Sequence, residues 1–143
     1  MNILVINGPN LNMLGIREPE IYGKATYADL CRLIEEHASQ LGIDVTLYQS
    51  NHEGDLVDAI QQAYGKADGI VINPGAYTHT SIAILDALKA VALPAVEVHI
   101  SDIRAREPWR AVSVTAPACR AMICGHGIQG YCEAMDDLAE AAR

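Results

Sequence analysis

Five short apolar runs, each separated from the next by a stretch of helical periodicity, constrain this chain more than any other feature of its sequence. Asn2–Asn7 holds Ile3, Leu4, Val5 and Ile6 without interruption, and residues 45–49, Gly69–Asn73 (GIVIN), 95–100 (AVEVHI) and Ala121–Cys124 are the other four. Continuous rather than alternating apolar residues are the mark of strands covered on both faces. Between the runs, Thr26 with Asp29 reads as a capping box opening a helix with Leu30, Leu33, Ile34, His37 and Leu41, stopped by Gly42. Leu56, Val57, Ile60 and Tyr64 give a second helix ended by Gly65, and Pro74-Gly75 marks a turn. Thr80 is the expected cap of a third helix with Ile84, Leu85, Leu88 and Val91. The last begins near Gly127 and carries Tyr131, Met135 and Leu138. Such βα units require right-handed crossovers, so the sequence predicts an α/β fold: a flavodoxin-like three-layer sandwich with a five-stranded parallel sheet. Its 143 residues fall within the ~100–200 of one domain, and residues 1–143 are read as a single flavodoxin-like domain.

Composition narrows the partners. Eighteen acidic against ten basic residues give a formal charge of −8, with no Lys/Arg run, so phosphate backbones and anionic membranes are repelled and neither nucleic acid nor membrane is expected. No apolar stretch approaches the roughly 20 residues that cross a bilayer. The opening MNILVING starts directly as a strand with no charged leader, which makes a cytoplasmic location the expectation. Cys31, Cys119, Cys124 and Cys132 lack CxxC spacing and are expected as free thiols, most of them buried.

Open parallel sheets bind ligands beyond the carboxyl ends of their strands, so the residues just past each strand are the ones to interrogate. After the first come Asn10, Arg17 and Tyr22; after the third, Asn73, Gly75 and His79; on and after the fourth, Glu97, His99, Ser101, Arg106 and Arg110. Arg17 and Tyr22 share a long loop, 8–23, with Gly8, Gly15 and Gly23 as candidate hinges of a lid. A guanidinium beside a phenol favours phenolate, which makes Tyr22 a candidate general base. Strand alternation puts Glu97 and His99 on one face, and a carboxylate on one imidazole nitrogen suits either a general acid or a metal-bound histidine. No HExxH or zinc-like spacing supports the metal option. His79 either caps a helix or faces the cleft, whereas His37, His52 and His126 read as surface, packing and turn residues. Arg104, Arg106 and Arg110, crowded together in an acidic chain, suggest an anionic small ligand, although Asp102 and Glu107 could pair with one or two of them. GxGxxG, GxxxxGK[ST] and GxSxG are absent, and Lys24, Lys66 and Lys89 are a poor pool for Schiff-base chemistry. Two other classes use the same cleft. A flavodoxin-like small-molecule binding module would need a Ser/Thr-Gly phosphate cradle after the first strand. A signalling receiver would need Asp where Asn73 stands.

The segments INGPNLNMLGIREPEIYG (6–23), QSNHEGDLVDAI (49–60), INPGAYTHTSIAILDAL (72–88), VEVHISDIRARE (96–107) and GIQGY (127–131) closely resemble the type II 3-dehydroquinate dehydratases over nearly the whole chain. That resemblance implies a cofactor-free lyase performing trans-dehydration of 3-dehydroquinate to 3-dehydroshikimate through an enolate, in the shikimate pathway or in quinate catabolism. It implies Tyr22 as base, Arg17 as the cation beside it, Asn10 as holder of the water at the enolate, and His99, supported by Glu97, as acid. Asn73 with the backbone of Ile100 and Ser101 would take the carboxylate, His79 and Arg110 the ring hydroxyls, and Arg106 a lid-facing position. Asp86, in the run 82–88, reads alone as a solvated carboxylate. By resemblance it reaches a neighbour's site in a trimer, four trimers making a homododecamer. The sequence departs from the family pattern at Asp102 and at Pro108-Trp109 before Arg110.

Overall fold

A computed structural model describes residues 1–143. Its five parallel strands are β1 (Asn2–Asn7), β2 (Asp44–Gln49), β3 (Gly69–Asn73), β4 (Ala95–His99) and β5 (Ala121–Cys124), in the spatial order β2-β1-β3-β4-β5. This is the flavodoxin-like order, whose direction of winding reverses between β1 and β3. The helices are α1 (Pro19–Tyr22), α2 (Tyr27–Leu41), α3 (Glu53–Gln62), α4 (Ile82–Val91) and α5 (Gln129–Ala141).

Two apolar layers hold the sheet. On one face Ile3, Val5, Val71, Val96 and Val98 pack on Leu30, Ile34 and Ala38 of α2 and on Tyr131, Met135 and Leu138 of α5. On the other, Ile6, Ile70 and Ile72 meet Leu56, Ala59 and Ile60 of α3 and Ile84, Leu88 and Val91 of α4. β3 is buried along its whole length, as its uninterrupted apolar run requires. The alternation of faces then decides what the strand ends present. Asn7 and Asn73, in register across β1 and β3, share the parity of Val5 and Val71, whose side chains pack in the layer that holds α5. Glu97 and His99 share the parity of Ala95, which packs in the α3/α4 layer.

Four local expectations are corrected. Helix α4 is capped by Ser81, whose hydroxyl accepts from the Ile84 amide at 3.0 Å, rather than by Thr80, which belongs to the preceding turn. Tyr64 is 71% exposed rather than packed, because α3 ends at Gln62 and the chain turns through Gly65 at φ 75°. All four cysteines are free, but only Cys132 is buried. The segment 8–23 is not irregular throughout: Leu11–Met13 forms a 3-10 turn with Leu11 and Leu14 sunk into the core, and Pro19 opens the single turn α1, at whose end Tyr22 stands. Gly15 and Gly23 have positive φ, as hinges would. Gly8 is glycine for another reason, since a Cβ there would lie 2.5 Å from the Pro74 carbonyl oxygen.

The capping box at α2 forms as read. The Asp29 amide donates to the Thr26 hydroxyl at 3.1 Å and the Thr26 amide to the Asp29 carboxylate at 2.9 Å. Thr26→Ala removes half of it and is expected to cost about 1 kcal/mol, measured as a lowered Cm in urea with an unchanged m-value; an unchanged Cm would show that the box contributes nothing to α2.

Candidate active site

Because all five strands run the same way, their carboxyl ends face one edge, and the segments leaving β1, β3 and β4 converge there. They enclose a small cavity of about 50 Å³ lined by Asn10, Arg17, Tyr22, Asn73, His79, His99, Ile100, Ser101, Arg106 and Arg110, with Leu11, Leu14 and Ile103 as apolar wall. Ten of the twelve side chains singled out from sequence therefore meet at one place. Glu97 stands behind His99, and Asp86 lies exposed on α4, outside the cavity of its own chain. A larger groove of about 640 Å³ runs between β2 and α3 at the edge of the sheet, but no histidine, tyrosine–arginine pair or amide cluster lines it beyond Tyr48, Asn2 and Gln62.

One side of the cavity is built on β4. His99 donates from Nε2 to Glu97 Oε2 at 2.7 Å, leaving Nδ1 as the remaining ring nitrogen. Glu97 has no exposed surface, yet three hydroxyls surround it. Thr78 and Ser113 each donate to Oε2 at 2.8 Å, and Thr115 makes a short hydrogen bond to Oε1. Burial pushes the pKa of Glu97 up, but the hydrogen bond and charge of His99, with the Thr115 and Thr78 hydroxyls, outweigh it and hold the carboxyl below the usual glutamate range. Sequence reading missed all three hydroxyls. Thr78 lies in the turn after β3, and Ser113 and Thr115 in the irregular run before β5, where no periodicity points to a strand 16 to 18 residues away.

Another side is built on the loop after β1. Arg17 stacks its guanidinium over the Tyr22 ring at 4.4 Å from the centroid and reaches the Glu18 carboxylate at 3.7 Å. The hydrogen bond to the phenol oxygen comes from Arg106, whose Nη1 donates to Tyr22 Oη at 2.7 Å. Arg17 thus lies beside the phenol, as its spacing suggested, while the cation that contacts the oxygen itself is Arg106. Asn10 sits in the left-handed region at φ 70°, its amide held by Asn51 Oδ1 at 3.0 Å, so its side chain is free to face the cavity.

Asn73, buried at the end of β3, accepts the Gly75 amide on Oδ1 at 3.1 Å. His79 donates from Nδ1 to the Val112 carbonyl at 2.8 Å, which leaves Nε2 available, so it faces the cleft instead of capping α4. Arg110 lies over the Trp109 ring at 4.4 Å and against Glu107 at 2.8 Å. The two departures in sequence thereby acquire jobs: Trp109 shelves Arg110, and Asp102 caps the following turn through the Arg104 amide at 3.0 Å. Arg104 itself pairs with Asp102 at 3.7 Å and does not line the cavity. His37 and His126 are tied to Asp136 and Glu133, consistent with surface roles. No group of three or more His, Cys, Asp and Glu side chains is arranged to hold a metal ion.

A family model described as dehydroquinase class II matches residues 1–139. The chain belongs to that family. The 3-dehydroquinate dehydratase of Clostridium acetobutylicum is 62% identical over 131 residues, covering 92% of this chain and 91% of its relative. A catabolic 3-dehydroquinase of Aspergillus oryzae is 54% identical over 138 residues, 96% of this chain and 90% of its own. The crystal structure of the type II dehydroquinase from Butyrivibrio crossotus superposes with a TM-score of 0.95 at 55% identity, covering 96% of this chain and 97% of that one. As a class II dehydroquinase the chain is a lyase, a 3-dehydroquinate dehydratase.

The ionised state of Glu97 has a thermodynamic consequence. A carboxyl whose folded pKa lies below its unfolded one stabilises the fold above the unfolded pKa, near 4.3, and that stabilisation disappears as pH falls through the folded value. Glu97→Gln is expected to lower stability at pH 7 by roughly 1–3 kcal/mol. The gap from the parent protein should narrow as thermal melts are taken to pH 4 and below; a gap that stays constant with pH would mean that the buried carboxyl is not ionised.

Proposed function

We propose that the chain eliminates water from 3-dehydroquinate in the anti sense, through an enolate, with Tyr22 as base and His99 as acid. The observation that carries this reading is the polarity of the cavity. One wall holds a phenol oxygen beside two guanidiniums, and the other an imidazole backed by a buried carboxylate. Two cations compensate the negative charge of a phenolate, and Glu97 compensates the positive charge of an imidazolium. Tyr22 Oη takes the proton from C2 of the substrate, and the electron pair of the broken C–H bond moves onto the ketone oxygen. Asn10 holds the water that hydrogen-bonds this enolate oxygen. As the enolate collapses, the C1–C2 double bond forms, the C1–O bond breaks, and the His99 proton leaves with the hydroxyl as water.

The remaining lining residues bind. Asn73 with the backbone amides of Ile100 and Ser101 takes the C1 carboxylate, and His79 and Arg110 take the ring hydroxyls. Arg106 closes the lid over Tyr22. At about 50 Å³ the cavity is smaller than the ~300 Å³ and more that encloses a small organic ligand. The loops around residues 8–23 and 103–112 therefore have to part for a six-membered ring to enter, and the Arg106–Tyr22 hydrogen bond is the contact that breaks. The proposal needs no metal or organic cofactor, involves neither nucleic acid nor membrane, treats 1–143 as one catalytic domain, and sets the reaction in the cytoplasm. Aromatic biosynthesis and quinate breakdown use the same chemistry.

Two experiments test this reading. Following enone absorbance after adding 3-dehydroquinate, Tyr22→Phe is expected to lower kcat by about 10²–10⁴-fold while a substrate-like inhibitor still binds, as read by the fluorescence of Trp109, the one tryptophan. The parent activity should persist in excess chelator. Near-normal turnover by Tyr22→Phe, or loss of parent activity on chelation, would refute the mechanism.

Assembly carries the second test. Asp86 is exposed on α4 beside the exposed Ile82 and makes no ion pair within its own chain, as suits a carboxylate that meets Arg17 or His79 of a neighbour. The proposed assembly is a homododecamer of four trimers, near twelve times 15.4 kDa by sedimentation. Asp86→Ala should then lower kcat more than it lowers thermal stability. A fully active monomer would remove both the assembly and the role of Asp86.

A further inference from the structure

The GIQGY segment at the start of α5 contributes no side chain to the cavity, yet it ends on Tyr131, a large polar residue with no exposed surface. Its hydroxyl lies between the two asparagines that end the central strands. It donates to Asn7 Oδ1 at 2.6 Å and accepts from Asn73 Nδ2 at 2.9 Å. Asn7 and Asn73 are register partners on β1 and β3, and Tyr131 lies 124 and 58 residues further along the chain.

The directions of these hydrogen bonds are forced. Gly75 N–H needs an acceptor, so Asn73 must present Oδ1 to it and Nδ2 to Tyr131. A hydroxyl that accepts from Asn73 must send its own proton elsewhere, and Asn7 Oδ1 is the acceptor within reach. Turning the Asn7 amide round would set two N–H groups against one hydroxyl and strand its proton. The arrangement is kept although it leaves Asn7 Nδ2 buried without a partner, a cost on the order of 1–3 kcal/mol that an apolar residue would avoid. Burial also drives the pKa of Tyr131 well above the ordinary phenol value, so it stays a neutral donor. An amide nitrogen carries two hydrogens. With one committed to Tyr131 and Oδ1 committed to Gly75, the second Asn73 N–H is the group left to face the cavity that Asn73 lines.

We propose that Tyr131 is a positioning residue for substrate recognition: through the chain Asn73–Tyr131–Asn7 it locks the Asn73 amide so that an N–H, not the carbonyl oxygen, meets the substrate carboxylate. The proposal rests on the reading of Asn73 as a carboxylate ligand. It assigns specificity for an anion to a residue that never touches one, since a flipped amide would offer the carboxylate a repelling oxygen. It also gives the α5 layer of the sheet a part in binding, while the acid His99 is anchored on the opposite face.

The test is a double-mutant cycle on steady-state constants with 3-dehydroquinate. Tyr131→Phe keeps the ring and removes the hydroxyl, and it should raise KM about tenfold with kcat within about twofold, the loss of one hydrogen bond to a charged group. Asn73→Ala should raise KM similarly, and adding Tyr131→Phe to it should raise KM no further. A purely structural role would lower the melting temperature of Tyr131→Phe without moving KM. An unchanged KM, or rises that multiply in the double variant, overturns the proposal. If Asn73→Ala alone leaves KM unchanged, the reading of Asn73 falls, and this inference with it. A KM raised by Asn73→Ala but not by Tyr131→Phe removes this inference alone. Should Tyr131→Phe fail to fold, Asn7→Ala tests the far end of the chain, with a raised KM expected and an unchanged one contrary.

Discussion

Burying a carboxylate with no exposed surface is among the costliest things a small α/β fold does, and the site of this protein is organised around one. Glu97 is held ionised by four donors from three separate segments: His99 on its own strand, Thr78 from the turn after β3, and Ser113 and Thr115 from the run before β5. Loss of the carboxyl would take away the acceptor these donors share, so the cluster ties the two β4-flanking loops to β4. Ser113 Oγ also accepts from the Ala116 amide at 2.9 Å, which fixes the course of the run leading to β5. The His99 imidazole at the head of this arrangement is held in place by its hydrogen bond to Glu97.

The opposite wall is built on a different principle. Tyr22 is placed by a single helical turn and two cations rather than by a buried network, and one of the cations, Arg106, comes from the loop after β4. A contact between two loops can open and re-form at small cost, whereas the Glu97 cluster cannot. One wall of the site is thus tied into a buried network, and the other rests on a contact between two loops. Gly8 and Gly75 mark where the loop after β1 is pinned against the turn after β3, since the chain at Gly8 passes too close to Pro74 for any side chain.

How much of this could be read from the residues alone depends on the distance over which each interaction acts. Strands with uninterrupted apolar runs, such as GIVIN, and the capping box at Thr26 were legible because their signals are local. So were Tyr22, His99 and Asn73, since strand ends in a parallel sheet converge by topology. The cap at Ser81 was missed for its neighbour because the two hydroxyls are one residue apart and only the backbone angles choose between them. Tyr64 obeyed helical spacing but fell beyond the last turn. The hydroxyls around Glu97, the direct role of Arg106 and the bridge through Tyr131 were not legible at all. Each depends on a side-chain pairing 16 to 124 residues apart, to which no local pattern points.

The central claim is that base and acid act from opposite sides of one ring, Tyr22 from the loop after β1 and His99 from the end of β4. The most direct measurement is the fate of deuterium in 3-dehydroquinate labelled stereospecifically at C2 and dehydrated by this protein, followed by mass spectrometry of the product. The expected result is loss of the C2 hydrogen on the face opposite the departing hydroxyl, with the other retained. Loss of the hydrogen on the same face as the hydroxyl would place base and acid on one side and contradict it.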